Sequence, residues 1–328
     1  MTIHRRDFVK HASAAALTAA TAATLLADDK PDPKQLPIID THQHLWDLSK
    51  FRPPWLDGAP EVLAKSYVTK DFLAATKGLK VVKAVYMEVD VAPRQQVEEA
   101  KHVIALSKSS DHPTAGAVIS GRPNSERFRD YITQFKDSPY IKGVRQVIHV
   151  PNAARGLCLE TQFVKSIQLL GELGMSFDLC MRPTELSDGR KLAEQCPNTR
   201  FVVDHCGNAD PKAFLKQTNE EISHKPDQWR RDMSSLAKQE NVICKISGIV
   251  ARTPKTKWSA EILAPIVNHC LDAFGSDRVV FGGDWPVCLL GCSYRRWVES
   301  LKEVIVERPT SEQKKLLHDN AEKFYRLA

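Results

Sequence analysis

No G-x-G-x-x-G turn follows the first apolar segment of this 328-residue chain, and no P-loop occurs anywhere in it, so neither signature of a nucleotide-phosphate cradle is present. Lysine and arginine are scattered among acids and form no stripe with interleaved aromatics, which make up only 7% of residues, so nucleic-acid binding gains no support. Long apolar runs are also missing. The uncharged stretch from Ala12 to Ala27 is rich in Ala and Thr and falls short of the ~20 strongly apolar residues of a membrane helix. No lipid-acceptor cysteine follows it. What remains is ordinary for a globular protein with a sizeable core: 42% hydrophobic and 26% charged residues, in a length that one barrel domain can fill.

The N-terminus, HRRDFVKHASAAALTAATAATLLADD, joins a basic start to a mild apolar region and two acids. Arg5 and Arg6, followed by Asp7-Phe8-Val9-Lys10, resemble a twin-arginine export signal. Residues 1–27 therefore read as a signal peptide, with cleavage near Ala27, residues 28–36 as a linker and residues 37–328 as the folded domain. The alternative is a frayed amphipathic helix. The signal implies an exported, periplasmic protein, the twin-arginine machinery as a partner, and no membrane span once the signal is removed. Nothing in the chain fixes an oligomeric state. The formal charge of +6 becomes milder without Arg5, Arg6, Lys10 and Asp7. Of the eight cysteines, Cys180, Cys206 and Cys244 lie in apolar runs, where free thiols act as small buried hydrophobes. Cys288 and Cys292, four apart, leave a bridge open.

Eight short apolar runs alternate with amphipathic ones. The strand candidates are 37–44, 81–89, 114–120, 141–149, 176–181, 200–206, 242–248 and 278–283. Between them, apolar residues recur every three to four positions, as in PRQQVEEAKHVIALSK and TQFVKSIQLLGELG; Pro226 opens one helix, and Gly174 and Gly275 close two others. Eight such alternations predict a (β/α)8 barrel, whose chemistry gathers at the C-terminal ends of its strands. An open doubly wound sheet is the alternative.

At those ends stand the candidates. Asp40, His42 and His44 share one parity in DTHQH, so on a regular strand they face one side. His205 ends the sixth run, and Asp284 follows the eighth in FGGDWPVC. Strands one, six and eight are near neighbours in a closed ring, so His42, His44, His205 and Asp284 can converge as a mononuclear nitrogen and oxygen site. Arg145 and Arg182 lie where a guanidinium can grip a substrate carboxylate, or else form a surface or interhelix salt bridge. Glu88 and Asp178 put acids inside strand runs, a costly choice unless they are paired or face the mouth. Trp46 either walls the site or packs in the core. Arg122 and Arg252 are weaker candidates on loops.

These residues carry a resemblance. IIDTHQHLWD, KGVRQVIH, FDLCMRP, FVVDHCG, FGGDWPV and DNAEKFYRL, in that order, resemble the amidohydrolase superfamily, in particular its amidohydrolase-2 group, typified by L-fuconolactonase and 2-pyrone-4,6-dicarboxylate lactonase. The resemblance implies a distorted (β/α)8 barrel and hydrolysis of a sugar-acid or carboxylated lactone, with an anionic lactone as the expected substrate. Asp284 would be the base, with His205 also catalytic, and one divalent ion, zinc by expectation, would be held by His42, His44, His205 and Asp284. Some lactonases of the group work without metal, and there the histidines would stabilise the oxyanion as hydrogen-bond donors. Two features depart from the pattern: Gly283 stands where many members have Ser, and strand four offers Arg145 and His149 in place of a second metal's ligand. Arg145, Arg182, Glu88, His149 and Trp46 are the expected substrate contacts. Two rival readings stay open: a metal-dependent non-oxidative decarboxylase of a small aromatic acid, and an exported binding protein without turnover.

Overall fold

The computed structural model describes residues 36–254 and 258–327. The expected signal, residues 1–27, and nearly all of the linker, residues 28–36, lie outside the described residues. Among the described residues no helix is long and apolar enough to cross a membrane.

Eight parallel strands run in sequence order: β1 Ile38–Gln43, β2 Val81–Met87, β3 Thr114–Ser120, β4 Ile141–Val147, β5 Ser176–Cys180, β6 Arg200–Val203, β7 Val242–Ile246 and β8 Val279–Phe281. The strands pack against helices on the barrel's outer face and against one another's side chains on its inner face, which is why they read as near-continuous apolar runs. The ring closes between β8 and β1 through backbone bonds just past the strand ends: Asp284 N donates to His42 O at 2.8 Å and His44 N to Trp285 O at 2.8 Å. Below them the Thr41 hydroxyl donates to Phe281 O at 2.7 Å. This is the (β/α)8 barrel that the alternation predicts.

The principal core lies between strands and helices, with Phe163, Phe177, Trp229 and Trp297 among its buried aromatics. A second cluster fills the barrel's interior, where Ile39, Val85, Val118, Val202 and Val280 meet Tyr325 and Leu327 from the C-terminal segment. That segment closes the N-terminal end of the barrel. Lys83 Nζ donates to Leu327 O and Lys142 Nζ to Arg326 O, each at 3.1 Å, and Arg200 reaches Phe324 O.

Local signals set most boundaries. Pro226 starts the helix Pro226–Ala237, and Gly275, with φ +71°, ends Ala264–Phe274 in a conformation that side-chain-bearing residues avoid. The short helix Phe128–Ile132 tightens into a 3-10 turn at Thr133–Phe135. A wide π turn, Lys315–Asp319, interrupts the last helix. One expectation is corrected. The sixth strand stops at Val203, because His205, Cys206, Gly207 and Asn208 all take positive φ. All eight cysteines, Cys288 and Cys292 included, are free.

Candidate active site

The register of β1 against β2 breaks between Asp40 and Gln43, and this irregularity divides what simple alternation would have kept together. Asp40 turns away from His42. Its Oδ1 accepts from the amides of Gly283 at 2.7 Å and His42 at 2.9 Å, and its Oδ2 accepts from the Tyr294 hydroxyl at 3.0 Å. A Cβ on Gly283 would fall 2.3 Å from Tyr294 Cε2 and 2.5 Å from Asp40 Oδ2, so the packing leaves no room for a side chain there. Asp40 thus pins the β1–β8 seam, while His42 faces the barrel axis.

Asp284 follows β8 with φ +53°, a left-handed conformation that costs roughly 1 kcal/mol or more without a glycine. Its backbone is tied at both ends, donating to His42 O and accepting from Cys288 N at 2.7 Å, and its carboxylate is left to face the histidines. Asp284 Oδ1 is 3.4 Å from His44 Nε2 and 3.6 Å from His42 Nε2. His205 leans over His42, with ring centroids 4.5 Å apart, and its Nδ1 lies 2.9 Å from Ser247 Oγ. Gly248 makes room for it, since a Cβ there would sit 2.2 Å from His205 Nδ1. Ligand atoms of His42, His205 and Asp284 all lie within 4.8 Å of one another, and His44 joins them through Asp284. The four groups expected to converge do so, after strands one, six and eight.

Beneath them lies a buried ionic lattice. Lys245 Nζ, on β7, is 2.7 Å from Asp178 Oδ2, 3.0 Å from Asp204 Oδ1 and 3.4 Å from His42 Nδ1. The approach to Asp204 has the distance of a hydrogen bond without its alignment, since neither Asp204 oxygen has a hydrogen-bond partner. Arg145 donates through Nε to Glu88 Oε1 at 2.7 Å and through Nη2 to Glu88 O at 2.9 Å, and its Nη1 reaches His42 Nε2 at 3.2 Å. Burial pushes the Asp178 carboxyl up to about 7. Burial acts on Asp204 in the same direction, but Lys245 and His42 more than offset it and hold that carboxyl well below its ordinary range. Burial also drives the imidazoles of His42 and His205 down, so both are neutral at pH 7.

Above the floor opens a cavity of about 400 Å³, lined in part by His44, Arg145, His149, His205 and Asp284. Trp46 lines it too and packs edge-on against Trp55, with ring centroids 5.4 Å apart. His149 stands 3.3 Å from Cys180 Sγ, and burial lowers its pKa to about 3. Two of the expected contacts lie elsewhere. Glu88 is wholly buried under Arg145 and does not line the cavity. Arg182 is also absent from the lining: its guanidinium pairs with Glu185 at 2.6 Å and donates to Ala153 O at 2.7 Å and to Val150 O. Lys245 and Asp204 escaped notice in the sequence, although a lysine in VICKISG and an aspartate in FVVDHC are the same costly choice that singled out Glu88 and Asp178.

Comparison with known proteins agrees with this architecture. The family model described as "Amidohydrolase" matches residues 39–327, and the chain belongs to that family. The uncharacterized protein y4mH of Sinorhizobium fredii is 29% identical over 310 residues, which cover 88% of this chain and 98% of that protein. An L-fucono-1,5-lactonase of Burkholderia multivorans is 25% identical over 277 residues, 80% of this chain and 88% of the relative. The crystal structure of an amidohydrolase from Burkholderia multivorans with bound zinc superposes with a TM-score of 0.78 at 22% identity, over 89% of this chain and 100% of the other.

Proposed function

We propose that the protein is a lactonase, opening a cyclic ester by attack of a water whose proton passes to Asp284. The observation that carries this reading is the carboxylate of Asp284 on the cavity floor, 3.4 Å from His44 Nε2 and 3.6 Å from His42 Nε2. A base must lie within hydrogen-bond reach of the water it deprotonates, and only Asp284 among the floor carboxylates lines the cavity. The L-fucono-1,5-lactonases among the relatives support the ester class.

The donor set fits a divalent ion. His44 Nδ1 lies 3.0 Å from Met87 O, which can only accept, so the neutral ring carries its proton on Nδ1 and presents a lone pair at Nε2, 3.4 Å from Asp284. Arg145 Nη1 and Lys245 Nζ, which can only donate, face the two ring nitrogens of His42 at 3.2 Å and 3.4 Å, so the lone pair of that ring is turned to a cation. His42, His44, His205 and Asp284 would hold the ion, and zinc suits such a set. When bound, it would supply Lewis acidity, polarising the lactone carbonyl and lowering the pKa of water.

The chain's own groups account for the remaining steps. Asp284 takes the water's proton and returns it to the ring oxygen as the ester bond breaks. Arg145, held in place by Glu88, directs positive charge at the floor, where the carbonyl oxygen becomes negative. His44 cannot donate there while its proton serves Met87, so in a metal-free reaction the oxyanion falls to Arg145 and His205.

Asp284→Asn tests the assignment: turnover on a lactone panel followed by pH-stat falls about 100-fold or more, with binding nearly unchanged. An unchanged rate excludes Asp284 as the base, and CO2 release from aromatic acids without ring opening would favour the decarboxylase. We further propose that the chain is exported by the twin-arginine route. Changing Arg5 and Arg6 together to Lys should abolish export, and normal secretion of that variant contradicts the route.

A further inference from the structure

The cavity floor suits a lactone in general, and its walls restrict which one. They are built from the Trp46–Trp55 pair, from Val147 at the end of β4 and Val150 beyond it, and from Val287 and Leu290 after β8. Both indole donors are already engaged within the protein. Trp46 Nε1 donates to Lys65 O at 2.6 Å and Trp55 Nε1 to Val89 O at 2.8 Å, so the two rings offer only carbon to the cavity. The polar side chains on the walls are partly engaged: Asp90 Oδ1 is paired with Arg122 at 2.6 Å, Asn208 Nδ2 donates to Met181 O at 2.8 Å, and His149 Nδ1 lies 3.3 Å from Cys180 Sγ.

Arg252 is the cation among them. Its guanidinium lines the cavity, and among the described residues it pairs with no carboxylate; its one contact is a 3.5 Å approach to Asn208 Oδ1. A sugar lactone would bury several hydroxyls against walls that are mostly carbon and offer few free partners, and each hydroxyl left unpaired costs free energy. A carbon substituent gains from the same surface, and a free guanidinium favours an anion at the substrate's far end.

We propose that the substrate is a lactone bearing an apolar aryl or alkyl substituent that carries an acid group for Arg252. This rests on the lactonase reading, and it separates the chain's specificity from that of a sugar-acid lactonase. An apolar wall rejects one added hydroxyl by about 100-fold, no more than it rewards one methylene, and a sugar lactone carries several hydroxyls.

Three probes at matched concentration test it: γ-phenyl-γ-butyrolactone, its para-carboxyphenyl analogue and D-galactono-1,4-lactone. The carboxyphenyl lactone should be opened with a kcat/KM about 100-fold above that of the galactonolactone. Arg252→Met should cut the preference for the carboxyphenyl over the phenyl lactone about tenfold, mainly through KM. Faster opening of the galactonolactone overturns the inference and leaves the lactonase reading standing. An unchanged carboxyphenyl-to-phenyl ratio in the Arg252 variant removes the anionic part of the proposal. Failure to open any of the three, or any aldonolactone, overturns the lactonase reading and the inference with it.

Discussion

Lys245→Met removes the nearer of the two cations that hold the buried acids beneath His42. Methionine keeps most of the lysine's volume, so packing changes little and the effect is electrostatic. Asp178, already raised to about 7 by burial, can take up a proton at almost no cost. Asp204 has no such escape. Burial works against its charge, and Lys245 is the first of the groups that hold its carboxyl below the ordinary 3.8. Without the lysine it must be protonated or stay charged and dry. Protonating an ordinary carboxyl at pH 7 costs about 1.4 kcal/mol per pH unit above its pKa, roughly 4 kcal/mol here. Loss of one partner from a buried pair costs about 3–5 kcal/mol, which agrees. In the variant the folded-state pKa of Asp204 is raised above its unfolded value, so the deficit is largest at neutral pH and shrinks as pH falls, to roughly 1.5 kcal/mol at pH 5. Urea unfolding followed by circular dichroism at pH 7 and pH 5 measures both values. Asp204→Asn in the same background should recover much of the pH 7 loss. A deficit below about 1 kcal/mol at pH 7, or one equal at the two pH values, refutes the reasoning.

Two further substitutions probe the surroundings of the site. Gly283→Ser places a Cβ 2.3 Å from Tyr294 Cε2 and should lose about 2 kcal/mol in thermal unfolding; combined with Tyr294→Ala the losses should be less than additive, and strict additivity contradicts the clash. Arg182→Met should lower stability by about 2 kcal/mol, because it takes the bonded partner from two carbonyls and from Glu185, which keeps only a 3.6 Å approach from the exposed Arg155, while KM for the best lactone stays within about twofold. A large KM increase with stability intact would return Arg182 to the role of substrate clamp.

The barrel was readable because each strand is buried on both faces and each helix on one, so two periodicities alternate along the chain. The histidines and Asp284 were readable because ionisable groups at strand ends gather in a closed parallel ring. What escaped has definite causes. Parity assigned Asp40 to the histidine face, and an irregular register, which no residue pattern announces, turned it outward. Arg182 sits at a strand end as Arg145 does, yet Glu185, one helical turn later, captures it. Glu88, just past β2, and Lys245, within β7, both carry charge into apolar runs, but their partners come from other strands, Arg145 on β4 for the first, Asp178 on β5 and Asp204 just after β6 for the second. Pairing across a barrel depends on stagger, and stagger is invisible in one dimension.

The bonds that complete the ring, from Asp284 to His42 and from His44 to Trp285, are made by the very residues proposed to perform the reaction. The last stave of the cask therefore holds the tap. A molecule in which β8 has come loose from β1 would keep its other strand pairings and most of its core, and would still be inert. Slow amide exchange at Asp284 and His44 thus reports the working fraction of the protein more faithfully than any measure of its bulk helix content.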